Sequence, residues 1–363
     1  MGYTIMNQNQ PVVKIDENGY VVWKDEAHCP LYFLNRSDFA GWLETRASDS
    51  YRANIRHLRR VLGISERSVV TSTMAVNAAC VTDTFWVKPD DSTLCWEDVR
   101  FSDEVCAELA LTGKESGLHL EDDLLHTPEL TNIGRVEKCW KREGDTWWLH
   151  KQADNNELFS EVFVYQLGMH MGMSMAEYQP CGNPAHGRPR CIKSRNFAAW
   201  DNFEPIHSLM GENVDDYIAV YRRLEPFGEA IVWDYVDMMY MDALCMNSDR
   251  HCFNFGLLRN PDSGKVLQLA PNYDNNMALF SFTGKLEDIM EDDLLIEDFV
   301  RLFRGVQSRK GCDVGWQLHF VTPELLQYVS RETSRITGVE VDHDELVRRI
   351  LARYQSITKR LQE

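Results

Sequence analysis

Apolar residues recur along this 363-residue chain with two different periods, and the change of period marks its elements. Residues 1–34 read as a strand pair turning at Glu17-Asn18-Gly19, and residues 36–66 read as helical. Residues 67–125 are mixed, with a strand-like run V-T-D-T-F-W-V-K (81–88) and a helical run from Asp103 to Leu111. Thr131 to Gln152 predicts two strands joined at Glu143-Gly144-Asp145. The period then changes: Leu158, Val162, Tyr165 and Met169 are spaced for an amphipathic helix, with Asn155 or Asn156 as its cap. A long helix over Ala230–Met246 carries Ile231, Tyr235, Met238 and Cys245 on its apolar side. A last helix over Asp344–Leu361 has Leu346, Ile350, Leu351, Tyr354 and Ile357 as its stripe.

The long helix delivers the chain to N-S-D-R-H-C-F-N-F-G, then a short hairpin, then L-A-P-N-Y-D ending at Asp274. Asp249 and Asn254 are five residues apart on this loop. Phosphoryl transfer needs one carboxylate near the acceptor hydroxyl, and an amide and a second carboxylate to hold Mg²⁺ on the ATP phosphates. An Asn carbonyl and an Asp carboxylate are hard oxygen donors that suit this cation. Asp and Asn are also common turn residues, so the spacing alone is equally met by a polar loop with Asx turns. Upstream, the strand Thr146–Lys151 ends in Lys151, which could be a solvated edge charge or a ligand to ATP phosphate. Glu161 follows ten residues later on the predicted helix, and a strand Lys with a helix Glu is the kinase arrangement.

In this order the motifs resemble the HipA-like serine/threonine kinases of bacteria. T-N-I-G-R-V-E-K (Thr131–Lys138) is similar to that family's phosphate loop, and H-K at 150–151 to its ATP-binding lysine strand. Glu161 with Leu167, N-S-D-R-H-C-F-N and L-A-P-N-Y-D are similar to its helix, catalytic and metal motifs. The resemblance covers about residues 125–330. It implies an α+β, two-lobed protein-kinase-like fold with a strand-rich small lobe (126–197) and a mostly helical large lobe (198–363). Residues 1–125 would be an N-terminal extension packing on the small lobe. It also implies Asp249 as catalytic base, Asn254 and Asp274 as metal ligands, Lys151 and Gly134 as nucleotide-binding residues, and Glu161 as the partner of Lys151. His251 would brace the loop by hydrogen bonding. Thr131 stands where some members carry an autophosphorylated serine, although it could equally begin a turn. Residues 1–125 do not match the N-terminal subdomain of the toxin members, and Asp274 is followed by Asn275-Asn276.

The apolar fraction of 44% suffices for a large core, and no run of eighteen uncharged apolar residues occurs. Asp234, Asp237 and Asp242 interrupt the longest candidate. The start M-G-Y-T-I-M-N-Q lacks the basic and apolar regions of a signal peptide. The ten scattered cysteines fit free thiols in a reducing cytoplasm. C-G-N-P-A-H-G-R-P-R-C (181–191) holds one His and two Cys without paired C-x2-C spacing, and reads as a Gly/Pro loop between strands. The net charge of −18 disfavours nucleic acid as a direct partner. Acidic runs at 121–123 and 291–293 read as solvated loops or helix starts. Arg52, Arg56, Arg59 and Arg60 fall mostly on one helical face, either solvated or docked on an acidic surface.

The sequence-level expectation is therefore an ATP- and Mg²⁺-dependent Ser/Thr protein kinase. It would be cytoplasmic, with a protein substrate and room for a regulatory protein. A small-molecule kinase on the same fold is one alternative. A non-catalytic protein using nucleotide as a structural ligand is another.

Overall fold

The structure, a computed structural model, describes residues 2–64, 68–116, 118, 124–182, 190–279, 293–310 and 318–363. The acidic runs at 121–123 and 291–292 lie outside the described residues, as does most of the loop between Cys181 and Cys191. The strands are β1 (Tyr3–Asn7), β2 (Gln10–Ile15), β3 (Val21–Lys24), β4 (Phe85–Pro89), β5 (Lys138–Glu143), β6 (Thr146–Gln152), β7 (Tyr178–Cys181), β8 (Cys191–Arg195), β9 (Asn202–Pro205), β10 (Gly256–Arg259) and β11 (Val266–Leu269). The α-helices begin with α1 (Tyr32–Asn35), α2 (Phe39–Glu44), α3 (Ala53–Val61), α4 (Val69–Met74), α5 (Trp96–Val99) and α6 (Ala107–Thr112). They continue with α7 (Asn155–His170), α8 (His207–Met210), α9 (Tyr217–Leu224), α10 (Glu229–Cys245), α11 (Leu294–Lys310), α12 (Pro323–Thr337) and α13 (His343–Gln362). The class is mixed α and β, and the chain divides into two compact units.

The first unit comprises 1–152, 181–204 and 257–267. One sheet has the order β3-β2-β1-β4. Its antiparallel register sets Ile5 opposite Val13 and Val87. These fully buried residues pack with Phe33, Phe39, Trp42 and Leu43. A second sheet has the order β5-β6-β8-β7. The expected turn is present: Glu143 pairs with Thr146, and Gly144 takes φ +64°, where a side chain would be strained.

Helix α3 departs from the sequence reading. Arg52 and Arg59 are buried rather than solvated. Arg59 donates to Ser72 Oγ (3.0 Å) and to the Ser48 carbonyl (3.0 Å), while Arg60 is exposed. Periodicity locates a face, but it does not reveal that polar partners await it inside.

The second unit comprises 153–180, 205–256 and 268–363. Helix α7 is capped by Asp154, one or two residues before the expected caps. The Asp154 side chain accepts from Glu157 N, and the Glu157 side chain accepts from Asp154 N, a closed capping box. Leu158, Phe159, Val162, Phe163 and Leu167 are buried, whereas Met169, assigned to the apolar stripe from the sequence, is 53% exposed. Helix α10 is buried along most of its length and α11 packs against it; α12 packs on α7 and α13 on α12. Buried Arg353 on α13 pairs with Asp293 and donates to the Ala243 carbonyl on α10 (2.6 Å). No described helix is long and apolar enough to cross a membrane.

Candidate active site

The site of the second unit is built from the end of α10. The helix stops because Met246 enters the left-handed region (φ 60°), and the Asn247 amide returns to the Asp242 carbonyl (3.0 Å). Asp242 is 1% exposed on α10 and accepts from Asn247 Nδ2 (2.9 Å). It also takes a two-pronged contact from Arg250, with Nε and Nη2 each 2.8 Å from a different carboxylate oxygen. Arg250 spends its remaining donors on four further acceptors. Nη1 reaches the carbonyls of Asn254 (2.8 Å) and Tyr273 (2.7 Å), and Nη2 reaches Oδ1 of Asn272 (3.0 Å) and Asn275 (2.8 Å). Burial opposes the guanidinium charge, but the Asp242 carboxylate and its hydrogen bonds outweigh that, so the Arg250 pKa is raised and the group stays ionised. One buried cation thus joins α10, the loop after it and the segment after β11.

Around this hub lie the residues named from the sequence. Asp249 is exposed and Asn254 is buried, and Asn254 Nδ2 donates to the Asp249 carbonyl (2.8 Å). The turn between them is closed by His251 N to Asp249 O (2.9 Å) and Asn254 N to His251 O (2.9 Å). His251 Nδ1 accepts from Phe253 N (3.2 Å), so its ring caps the loop. Asp274 is half-buried, in the left-handed region at φ 58°. Asp tolerates that conformation better than most residues, but it remains a cost that surrounding contacts must hold. The Asp274 amide donates to Tyr178 Oη (2.9 Å), and the next amide, Asn275 N, donates to Glu161 Oε2 (2.9 Å). Beside Glu161, Ser160 Oγ donates to the Ala278 carbonyl (2.7 Å). Helix α7 therefore holds the Asp274 segment through backbone groups.

This donor set fits a hard divalent cation. Asn254 and Asp274 offer side-chain oxygen, the ligand type Mg²⁺ takes. The Asn254 nitrogen is committed to Asp249 O, which leaves its amide oxygen as the ligand atom. Asn276 Oδ1, two residues beyond Asp274, is a buried oxygen without a hydrogen-bond partner.

The first unit carries the other predicted residues. Lys151 is 7% exposed on β6, paired with Lys138 on β5 and Ile192 on β8, so it is no solvated edge charge. Gly134 takes φ +110°, and a β-carbon there would run into the Lys138 ammonium. The loop that holds Gly134 is anchored from outside itself: Arg52 Nη2 donates to the Asn132 carbonyl (2.9 Å), and Glu137 Oε1 accepts from Asn54 N (3.0 Å). Thr131 ends a 3-10 turn (Pro128–Thr131). It is 5% exposed, with its hydroxyl donating to the Ala79 carbonyl (2.6 Å).

Arg250, Asp242 and Asn275 were not singled out from the sequence. Asp242 had a readable signal as a carboxylate amid Met, Tyr, Ala and Leu on a core helix, a position that demands a buried cation. Which cation answers it is a tertiary fact.

The protein has a HipA-like kinase fold. The solved HipA, HipB and operator DNA complex of a Shewanella oneidensis MR-1 toxin–antitoxin system matches 99% of this chain and 96% of that one, at 13% identity and a TM-score of 0.53. The proinflammatory kinase CtkA of Helicobacter pylori matches 62% of this chain and 93% of its own at 16% identity, with a TM-score of 0.43. No protein-family model and no curated protein sequence matches the chain.

Proposed function

We propose that the chain is an ATP- and Mg²⁺-dependent serine/threonine protein kinase that transfers the γ-phosphoryl group to a protein hydroxyl. The observation that carries this reading is the Arg250 hub. It holds the Asp249–Asn254 turn and the Asp274 segment by their backbone carbonyls, which fixes where these oxygen-donor residues stand. Asp249 orients the acceptor hydroxyl and takes its proton late, because the transition state is loose and the proton leaves after the bond to the leaving group has weakened. Asn254 and Asp274 hold the metal, which when bound neutralises charge developing on the phosphate oxygens. Lys151 and the Gly134 loop are the nucleotide-phosphate residues, and Glu161 supports the cofactor site through Asn275 N. Partners on this reading are a protein substrate and a regulatory protein. A reducing cytoplasm suits the nine free cysteines among the described residues.

Purified chain incubated with Mg²⁺ and γ-labelled ATP, beside Asp249→Asn, tests the reading. Label on protein in the wild type and none in the variant, with nucleotide binding equal in both, is expected. Label at Thr131 requires the 128–131 turn to open, because the hydroxyl is buried and engaged. ATP turnover only with an added metabolite would make the chain a small-molecule kinase. Tight nucleotide binding with no transfer under any acceptor would make it a binding protein.

A further inference from the structure

The segment Cys181 to Cys191 takes no part in the proposed chemistry, yet its two ends meet. Cys181 ends β7, Cys191 begins β8, and the two strands are neighbours in the sheet. Their sulfurs are 2.7 Å apart. His150 on β6 completes the cluster, with Nδ1 3.5 Å from the Cys181 sulfur. The register explains why it is there. His150 pairs with Lys193 and Gln152 with Cys191, so His150 and Cys191 are diagonal neighbours on one face. The same ring leaves Nε2 buried without a hydrogen bond, 3.9 Å from a Glu143 oxygen. Cys191 is buried, while Cys181 is partly open to solvent.

Two chemistries suit a Cys-Cys-His cluster, and the close approach of the sulfurs favours one of them. Two thiolates on one tetrahedral zinc, each at about 2.3 Å, stand roughly 3.8 Å apart. A disulfide needs about 2.05 Å. At 2.7 Å the pair is about 0.7 Å from the bond and about 1.1 Å inside the zinc spacing.

We propose that Cys181 and Cys191 form a reversible thiol–disulfide pair, oxidised by small peroxides. The Cys191 thiolate attacks one peroxide oxygen, the O–O bond breaks, and the departing oxygen leaves as water after taking a proton. Cys191 is then a sulfenic acid. The Cys181 sulfur attacks it, the S–O bond breaks, and the hydroxyl leaves with the Cys181 proton as a second water. Two thiols and one peroxide give one disulfide and two waters, with sulfur oxidised and peroxide oxygen reduced. The two sulfurs share one hydrogen bond in which either can donate, so a thiolate on one is stabilised by the thiol of the other; on Cys191 that bond and His150 lower the pKa against the effect of burial. The resulting bond would tie β7 to β8 across the loop that joins them.

The test uses the reduced full-length chain treated with hydrogen peroxide, digested without reductant and mapped by mass spectrometry. The expected product is a Cys181–Cys191 peptide lighter by two hydrogens, which dithiothreitol converts back to two alkylatable thiols. In Cys181→Ser, Cys191 should stop at sulfenic acid and be captured by dimedone. Circular dichroism verifies that this variant is folded, and the wild-type reversal stands without it. Both thiols remaining alkylatable while a control peptide thiol is consumed would overturn the proposal. One tightly held zinc per purified chain, blocking both thiols, would also overturn it.

Discussion

Arg250 and Asp242 face each other as fork to fork, with two guanidinium nitrogens each 2.8 Å from a separate carboxylate oxygen and both side chains out of water. A buried ion pair is weak as a source of stability, because desolvating both charges roughly cancels their attraction. Its worth here is positional: the planar fork fixes where the other Arg250 donors point, and they point at the backbone on either side of the candidate metal ligands.

Removing one member of this pair strands the other. Arg250→Ala leaves Asp242 buried and unpaired and is expected to cost about 3–5 kcal/mol. Arg250→Lys keeps a charge but not the fork, so it should lose fewer kilocalories while still releasing the Asn254 and Tyr273 carbonyls. Urea unfolding monitored by tryptophan fluorescence checks both. An Arg250→Lys variant as stable as the wild type would show that the fork geometry contributes nothing.

Asn254 gives a prediction about metal. If its amide oxygen is a ligand, Asn254→Ala should raise the Mg²⁺ concentration needed for half-maximal phosphoryl transfer by about tenfold or more, the range seen when shells of metal sites are disturbed. Asn254→Asp retains an oxygen donor and should fall between. A Mg²⁺ titration at saturating ATP measures this. Equal midpoints in all three would remove Asn254 from the metal site.

Glu161 gives a prediction read at the backbone. Its Oε2 accepts from the Asn275 amide deep in the unit, where Glu161 and Asn275 are both fully buried. Glu161→Gln keeps an acceptor, whereas Glu161→Ala leaves a buried N–H unmade, a loss of about 1–3 kcal/mol. Hydrogen exchange at Asn275 should accelerate about 5- to 150-fold in the alanine variant, as that free-energy range implies, and little in the glutamine variant. Equal protection in both would show that another group holds the segment.

What the sequence reveals of this site is what is local. Asp249, Asn254 and their turn are legible because the hydrogen bonds that shape it run between residues at most five apart. The β5–β6 hairpin is legible because Gly144 must turn there. The cap of α7 was misplaced by one or two residues because Asp154, Asn155 and Asn156 are all competent caps, and only the reciprocal bond with Glu157 selects among them. Arg52, Arg59 and Arg250 were the illegible part. Each is buried against carbonyls or carboxylates distant in sequence or on another element, and no spacing rule distinguishes such an arginine from a solvated one.

Glu129 supplies the last prediction, and it concerns pH. Burial pushes its carboxyl up to about 7 from an ordinary 4.5, although Asn132 Nδ2 (3.0 Å), Trp140 N (2.8 Å) and Arg52 all favour the charged form. The folded state therefore keeps a proton that the unfolded state has already released between these two values. In that window the unfolded chain binds fewer protons, so stability falls as pH rises. The contribution is fully present below about 4.5 and lost by about 7, at most ~3 kcal/mol. Glu129→Gln cannot ionise. It keeps one acceptor for Trp140 N, and a turned Asn132 amide can accept from its new nitrogen. The difference in unfolding free energy between wild type and Glu129→Gln should therefore move in favour of the variant from pH 5 to pH 8. Because Asn132 and Trp140 flank the Gly134 loop, hydrogen-exchange protection across 132–140, taken relative to the intrinsic rate at each pH, should fall over the same range in the wild type only. A pH-independent difference between the two proteins would mean that Glu129 is ionised throughout, held so by Arg52.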